Sequence, residues 1–429
     1  VALALATALF AGGGAPRWAA CAAAALGVVS ATPYLTSRRT ASRLSPLLVL
    51  LFIAVVLTLL QVVPLPGSLV AAVSPQGHEL VSDNLAAVGQ AMPALLPLSY
   101  DPPATLLELA KLAGYAAFAF ACLRFGASRE GRRLLPAMVG GLGAAMALVA
   151  LAHHALRARA LFGVFQPAGL EPDYLAPLVN ENHLAGFLAL TVPVSLGLAV
   201  QSSAWRRGAW LGAALISTTT CLLTGSRSGA LGLGVGILVA TMLYILQRRS
   251  GERDHSRKLP LAVAVPVMVV TLCVLTLVGV FAAGDVASEL ATTSSVEMEH
   301  PRSKLHVWSR AATLLADNRW TGVGRGAFEP AYTRINPAPE VTFSHVENEY
   351  VQAAVDWGVP GAAALAVALL LVVLAAARRW KAGAAEAGAL GGLAALAAHD
   401  VADFALEMPG VAMAAIALTA LLLPPRLAI

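Results

Sequence analysis

Apolar residues run along this chain in stretches of about 20, closed by arginine, lysine, proline or glycine, rather than in the strict alternation of half-buried strands. Such stretches fall near 1–14, 17–35, 46–66, 104–123, 134–154, 184–201, 208–223, 229–246, 259–283, 348–377, 384–399 and 410–424. Backbone groups in lipid must be satisfied within their own segment, so each stretch is predicted to be a helix. The predicted fold class is an all-α integral membrane protein with about twelve transmembrane helices. Three polar segments, 67–103, 155–183 and 284–347, are longer than simple turns. The first holds Pro75, Pro93, Pro97, Pro102 and Pro103, which predicts irregular structure packed at the interface. The last can hold a small extramembrane subdomain. Within it Leu305, Trp308, Ala312 and Leu315 recur at helical spacing with Lys304 and Arg310 on other faces, predicting an amphipathic helix that ends near Asn318. Gly322-Val323-Gly324-Arg325-Gly326 reads as a tight turn; it lacks the Lys-Ser/Thr and the preceding strand of a phosphate-binding loop.

Composition agrees. Of 429 residues, 58% are hydrophobic and 12% charged, too few polar groups to cover a soluble globule of this size. All four cysteines lie in apolar runs, which argues against a disulfide framework and a cysteine metal site. No cleavable signal peptide is expected at the start. With the N-terminus in the cytoplasm, the inner turns carry Arg38, Arg39, Arg43, Arg124, Arg129, Arg132, Arg133, Arg206, Arg207, Arg248, Arg249, Arg253, Arg257, Lys258, Arg378, Arg379, Lys381 and Arg426. The short outer turns carry only Arg17, Arg157, Arg159 and Arg227. This bias predicts the orientation: the 284–347 loop faces away from the cytoplasm.

On that topology the uncommon polar residues fall at outer helix ends. Asn180, Asn182 and His183 precede the sixth span, and Thr224-Gly225-Ser226-Arg227-Ser228 forms the turn after the seventh. Arg302 and Lys304 open the amphipathic helix; His345, Glu347 and Asn348 precede the tenth span; His399, Asp400, Asp403 and Glu407 follow the eleventh. Taken singly, each has a plain explanation, since Arg and His snorkel at helix ends and Asn caps helices. Their joint placement on one side points to a cavity or path. Arg227, Arg302, Lys304 and Arg325 suit a phosphate or diphosphate leaving group, and Glu347 with His345 suits removal of a proton from an attacking hydroxyl. In an extended approach to the tenth span those two fall on the same face and could act as a pair. No HExxH is present, and Glu171-Pro172-Asp173 is the nearest acidic pair to a ligand site. Lys111, three residues after Glu108, reads as a compensating pair across one helical turn.

The segments Leu222-Leu223-Thr224-Gly225-Ser226-Arg227-Ser228-Gly229, Trp308, Gly322 to Phe328, Glu347-Asn348-Glu349-Tyr350-Val351-Gln352 and Gly358-Val359-Pro360-Gly361 resemble the bacterial O-antigen ligase and polymerase superfamily. Asn182-His183-Leu184-Ala185 and His399-Asp400-Val401-Ala402-Asp403-Phe404 resemble its exopolysaccharide polymerase branch. The resemblance spans about 170–420 and divides the chain into N-terminal helices, 1–170, and a catalytic membrane domain, 171–429. It implies a GT-C-like, metal-independent glycosyltransferase without cofactor, in the bacterial inner membrane with its site facing the periplasm. The implied donor is an undecaprenyl-diphosphate-linked glycan and the acceptor a glycan or lipid A-core; membrane lipids surround the protein, and no nucleic-acid partner is implied. By the same resemblance Arg227 holds the diphosphate, Lys304 or Arg302 supplies the second cation, and Glu347 stands where ligases have the activating His. Arg325, Asn348, Asn182, His183, His399 and Asp400 complete the expected substrate-binding set. A transporter or flippase of lipid-linked saccharides is the alternative, for which internal repeats and midplane ionisable residues are the signature.

Overall fold

Prolines and short polar caps decide where the helices begin. In the computed structural model, which describes residues 1–35, 44–165, 177–251, 303–336 and 341–423, nearly every ordered element is helical. The helices are α1 (Ala2–Phe10), α2 (Arg17–Leu35), α3 (Pro46–Val62), α4 (Gly67–Val73), α5 (Pro75–Ala87), α6 (Pro102–Gly126), α7 (Arg129–Ala155), α8 (Glu181–Gln201), α9 (Ala204–Leu223) and α10 (Arg227–Gly251). They continue as α11 (Lys304–Asp317), α12 (Phe328–Ile335), α13 (Glu349–Ala377), α14 (Ala384–His399) and α15 (Pro409–Leu422). Proline opens α3, α5, α6 and α15, where its missing N–H removes no helical bond. Asp101 caps α6 by accepting from Ala104 N–H at 3.1 Å, and Ser128 caps α7 by accepting from Gly131 N–H at 2.8 Å.

Six helices, α2, α6, α7, α8, α10 and α13, are long and apolar enough to cross a membrane, and α3 and α15 are shorter apolar helices. The expected twelve full spans are therefore not reproduced among the described residues. The first expected span is cut at nine residues by the Gly12–Gly14 turn, too short for a bilayer core. The expected span 259–283 lies outside the described residues. Lipid contact is legible on α13, where Val367, Leu369, Leu370, Leu371, Val373 and Leu374 are bare while Ala368, Val372 and Ala376 are buried. Six exposed large side chains on one helix suit hydrocarbon rather than water. In contrast α8 and α15 are enclosed. Small residues let α10 approach α14: a Cβ on Gly236 would stand 2.7 Å from the Ala395 Cβ and 2.8 Å from the Gly391 carbonyl.

The polar segments are more regular than expected. Residues 67–87 form α4 and α5, and Leu95-Leu96 pair with Leu65-Pro66 just before α4, while the rest of 88–101 is the irregular structure expected. The amphipathic helix exists, capped by Ser303 and ending at Asn318, but its buried face is Val307, Ala311 and Leu314. Trp308 and Leu315 flank that face and Ala312 is exposed, so the stripe is turned by about one residue from the expected one. The packing partner explains the shift, because Val323, Phe328, Tyr332 and Val346 form the cluster that this helix covers.

Candidate active site at one end of the bundle

A break in α13 builds the floor of the site. Gly358 adopts φ 69°, which frees carbonyls from the helical ladder. Val355 O accepts from Val323 N–H at 2.9 Å, Asp356 O accepts from Gly324 N–H at 3.2 Å, and Arg319 O accepts from Val359 N–H at 2.8 Å. Three amides of the glycine-rich turn, Gly322, Val323 and Gly324, are thus taken by backbone carbonyls, as in a turn rather than a phosphate cradle. Gln61 at the end of α3 ties the two together, donating to Asp356 O at 2.6 Å and accepting from Arg325 N–H at 2.9 Å.

This clamp buries Arg325. Its guanidinium meets Asp356 Oδ2 at 2.8 Å, Glu108 Oε2 at 3.3 Å and both Glu407 oxygens, and it lies 5.0 Å over the Trp357 ring. Glu108 in turn holds Lys111 Nζ at 2.7 Å. The expected role of Arg325 as a free cation for diphosphate is corrected: its fork is taken up by three carboxylates. The Lys111–Glu108 pair is likewise one arm of a five-membered buried network. Burial pushes the Glu407 carboxyl up, but Arg325, followed by His345 and Lys111, outweighs it and holds the group at about 2.

Above this network lie the groups expected to do chemistry. His345 stacks on Phe404 with ring centroids 4.5 Å apart and brings Nε2 to 4.0 Å from Glu407 Oε2. Burial pushes its imidazole down, against the pull of Glu407. Glu347 adopts φ 61°, uncommon for a side-chain-bearing residue, so the approach to α13 is not extended. The expected common face of His345 and Glu347 is therefore corrected. Glu347 instead points to Lys304, with Oε2 3.0 Å from Nζ, and its side chain is 19% exposed. Burial pushes the Glu347 carboxyl up while Lys304 draws it down. Lys304 also donates to Ala402 O at 2.6 Å and stands 3.6 Å from Asp403 Oδ2.

Asn348, expected to bind substrate, is fully engaged as the cap of α13: it accepts from Tyr350 and Val351 N–H at 3.0 Å and donates to Val401 O at 2.6 Å. Asp400 is buried and accepts from Ala405 N–H at 3.0 Å, fixing the turn between α14 and α15; burial pushes its carboxyl up to about 8. Neither side chain is turned outward for a sugar. His399 is fully buried against Gly186, and His183 is buried edge-on to Phe404 at 4.6 Å. Asn182 is half-buried in the first turn of α8. Arg302 lies outside the described residues, as do Glu171 and Asp173.

Arg227 is exposed at the start of α10. The turn before it is fixed by Thr224, which accepts from Ser226 N–H at 3.2 Å, and by Ser226, which accepts from Gly229 N–H at 3.2 Å. A Cβ on Gly229 would stand 2.4 Å from the Ala185 Cβ, so the first turns of α10 and α8 lie side by side, with Arg227 and His183 at one end. The opposite end gathers the cationic turns: Gln247 donates to Trp380 O and to Gly383 O, joining the Arg248-Arg249 end of α10 to the Arg378–Lys381 turn.

Asp403 and Glu407 are placed at this end by sequence without an assigned role; Asp356 is the acid that it misses, and its signal is a carboxylate four residues after Gln352 inside an apolar run.

Multiple apolar helices of membrane-spanning length, with polar groups assembled at one end and basic turns at the other, mark a polytopic membrane protein with a candidate site at one end. Residues 212–366 match the family model described as O-antigen ligase. The resemblance carried by the motifs is thereby shown for that stretch, which contains Arg227, Lys304, Arg325, His345 and Glu347. No curated protein matches the chain.

Proposed function

We propose that this protein is a glycosyltransferase of the O-antigen ligase and polymerase type, working in the bacterial inner membrane with the Glu347 end facing the periplasm. It takes glycan from an undecaprenyl-diphosphate-linked donor and passes it to a glycan or lipid A-core acceptor. The observation that carries this is the Lys304–Glu347 pair, a partly exposed carboxylate beside an ammonium, inside the matched family region and at the end opposite the basic turns. The acceptor hydroxyl attacks the anomeric carbon as the bond to the diphosphate oxygen breaks. Its proton passes to Glu347, and the lipid diphosphate leaves with its charge countered by Arg227 at the positive end of α10. Burial pushes the Glu347 carboxyl up against the pull of Lys304, which strengthens it as a base. His345, held between Phe404 and Glu407, assists by orienting the acceptor. Residues 171–429 form the catalytic membrane domain of a GT-C-like arrangement, with 1–170 as supporting helices. For a transporter, Lys111 would be an open midplane charge, whereas here Glu108 pairs it.

Purified protein supplied with lipid-linked repeat units tests the assignment by product chain length. Glu347→Gln keeps shape and hydrogen bonding but lacks the basic site, so turnover should fall by about two orders of magnitude or more. His345→Gln should fall less. Wild-type turnover in Glu347→Gln with a dead His345→Gln reverses the roles.

A further inference from the structure

Asp403 stands between Glu347 and two buried histidines. Its side chain is 1% exposed, and Oδ1 accepts from Phe404 N–H at 2.8 Å. His183 Nε2 approaches Oδ1 at 3.4 Å and His399 Nε2 at 3.8 Å, while Asp400 Oδ1 lies 4.0 Å from the same His399 nitrogen. Oδ2 faces Lys304 Nζ at 3.6 Å, the nitrogen that also stands 3.0 Å from Glu347. One ammonium therefore serves two carboxylates, and the Ala402 carbonyl, from the residue just before Asp403, anchors it at 2.6 Å.

We propose that Asp403 is a positioning residue of the site: it shares Lys304 with Glu347 and so sets how tightly the ammonium holds the carboxylate that receives the acceptor's proton. This role rests on Glu347 being the base. A carboxylate held by a whole ammonium has little appetite for a proton, while a partly buried one without a cation binds its proton more tightly and is less often free to accept another. Sharing places Glu347 between those limits. The titratable groups facing Glu347 are Lys304 from α11 and Asp403 from the α14–α15 turn; those facing Asp403 are Lys304, His183 from α8, His399 from α14, Asp400 and Glu347. Burial pushes the Glu347 carboxyl up, Lys304 draws it down and Asp403 pushes it up again.

Two substitutions should then move the acid limb of the rate–pH profile in opposite directions. Asp403→Asn keeps an oxygen for Phe404 N–H but removes the competing charge, so Lys304 acts on Glu347 alone. The limb should fall by roughly half to one pH unit. Lys304→Met should raise it by at least that much, and Lys304→Arg should return it toward the wild-type position. The profiles are recorded on purified full-length protein with lipid-linked repeat units as the probe. Limbs that stay fixed, or move together, overturn the role of Asp403 and reduce it to a turn former. If Asp403→Asn does not fold, Asp403→Ser, which keeps an oxygen for Phe404 N–H, takes its place: a limb that falls there supports sharing, and a fixed limb overturns it. Glu347→Gln run in the same series separates the two failures. Wild-type turnover there removes the base and this role with it, whereas a dead Glu347→Gln beside fixed limbs removes the role of Asp403 only.

Discussion

Replacing Arg325 by methionine separates a structural clamp from a ligand contact. The guanidinium is surrounded by Glu108, Asp356 and Glu407, and the last two side chains are 0% and 2% exposed. Methionine fills much of the same volume but strands at least two carboxylates where water does not reach. Breaking a buried ion pair from one side costs about 3–5 kcal/mol, and the contact with the Trp357 ring adds about 0.5–2 kcal/mol. The Arg325 side chain is only 10% exposed, so solvent screening reduces these figures little. Thermal unfolding in detergent, followed by tryptophan fluorescence, should show Arg325→Met melting well below wild type at neutral pH. Arg325→Lys should fall between, because a point charge cannot replace the fork that reaches both Glu407 oxygens. The pH dependence carries a definite sign. Glu407 is held at about 2 in the folded chain, below its unfolded value near about 4.5, so its stabilisation is present above about 4.5 and is lost as pH falls toward about 2. Arg325→Met has lost that term, so its deficit should narrow over the same window. An Arg325→Met protein that melts like wild type yet turns over no substrate would refute the clamp and return Arg325 to the diphosphate.

Orientation is checked with an impermeant thiol reagent in a Cys21→Ser, Cys273→Ser background, which leaves the buried Cys122 and Cys221. Ser309→Cys on α11 should label from outside and Ala382→Cys beside the basic turn should not, and the reverse pattern would remove the periplasmic site. Asp400, pushed up to about 8 by burial, holds a proton when folded that the unfolded chain releases above about 4, so it lowers stability as pH rises from about 4 to about 8. Asp400→Asn should therefore melt above wild type by a wider margin at about pH 8 than at about pH 5; equal margins would show that this carboxyl is not held protonated.

Part of the site was legible because its signal is local. Apolar run length identifies spans, and Lys and Arg counts assign their ends, since each records a transfer energy of a short segment. The Ser226-Arg227 turn and the 345–348 approach were found because they interrupt apolar runs at places where polarity has no reason to occur. The error over the first span has the same local root: run length alone cannot register that Gly12–Gly14 turns the chain after nine helical residues.

The sequence by itself determined that the chain is helical and membrane-embedded, which ends of its helices are basic, and that Arg227, Lys304, His345 and Glu347 gather at the other end. Tertiary structure alone decided which of the gathered charges remain available. Arg325 and Asn348 look as competent in sequence as Lys304 and Glu347, yet Glu407 and Asp356 neutralise the first, and the amides of α13 with Val401 O engage the second. The physical reason is that a buried charge or amide must find partners, and those partners come from segments far away in the chain, such as Arg325 and Glu407. Pairing at that range depends on how α6, α13 and the α14–α15 turn pack, which no local pattern encodes.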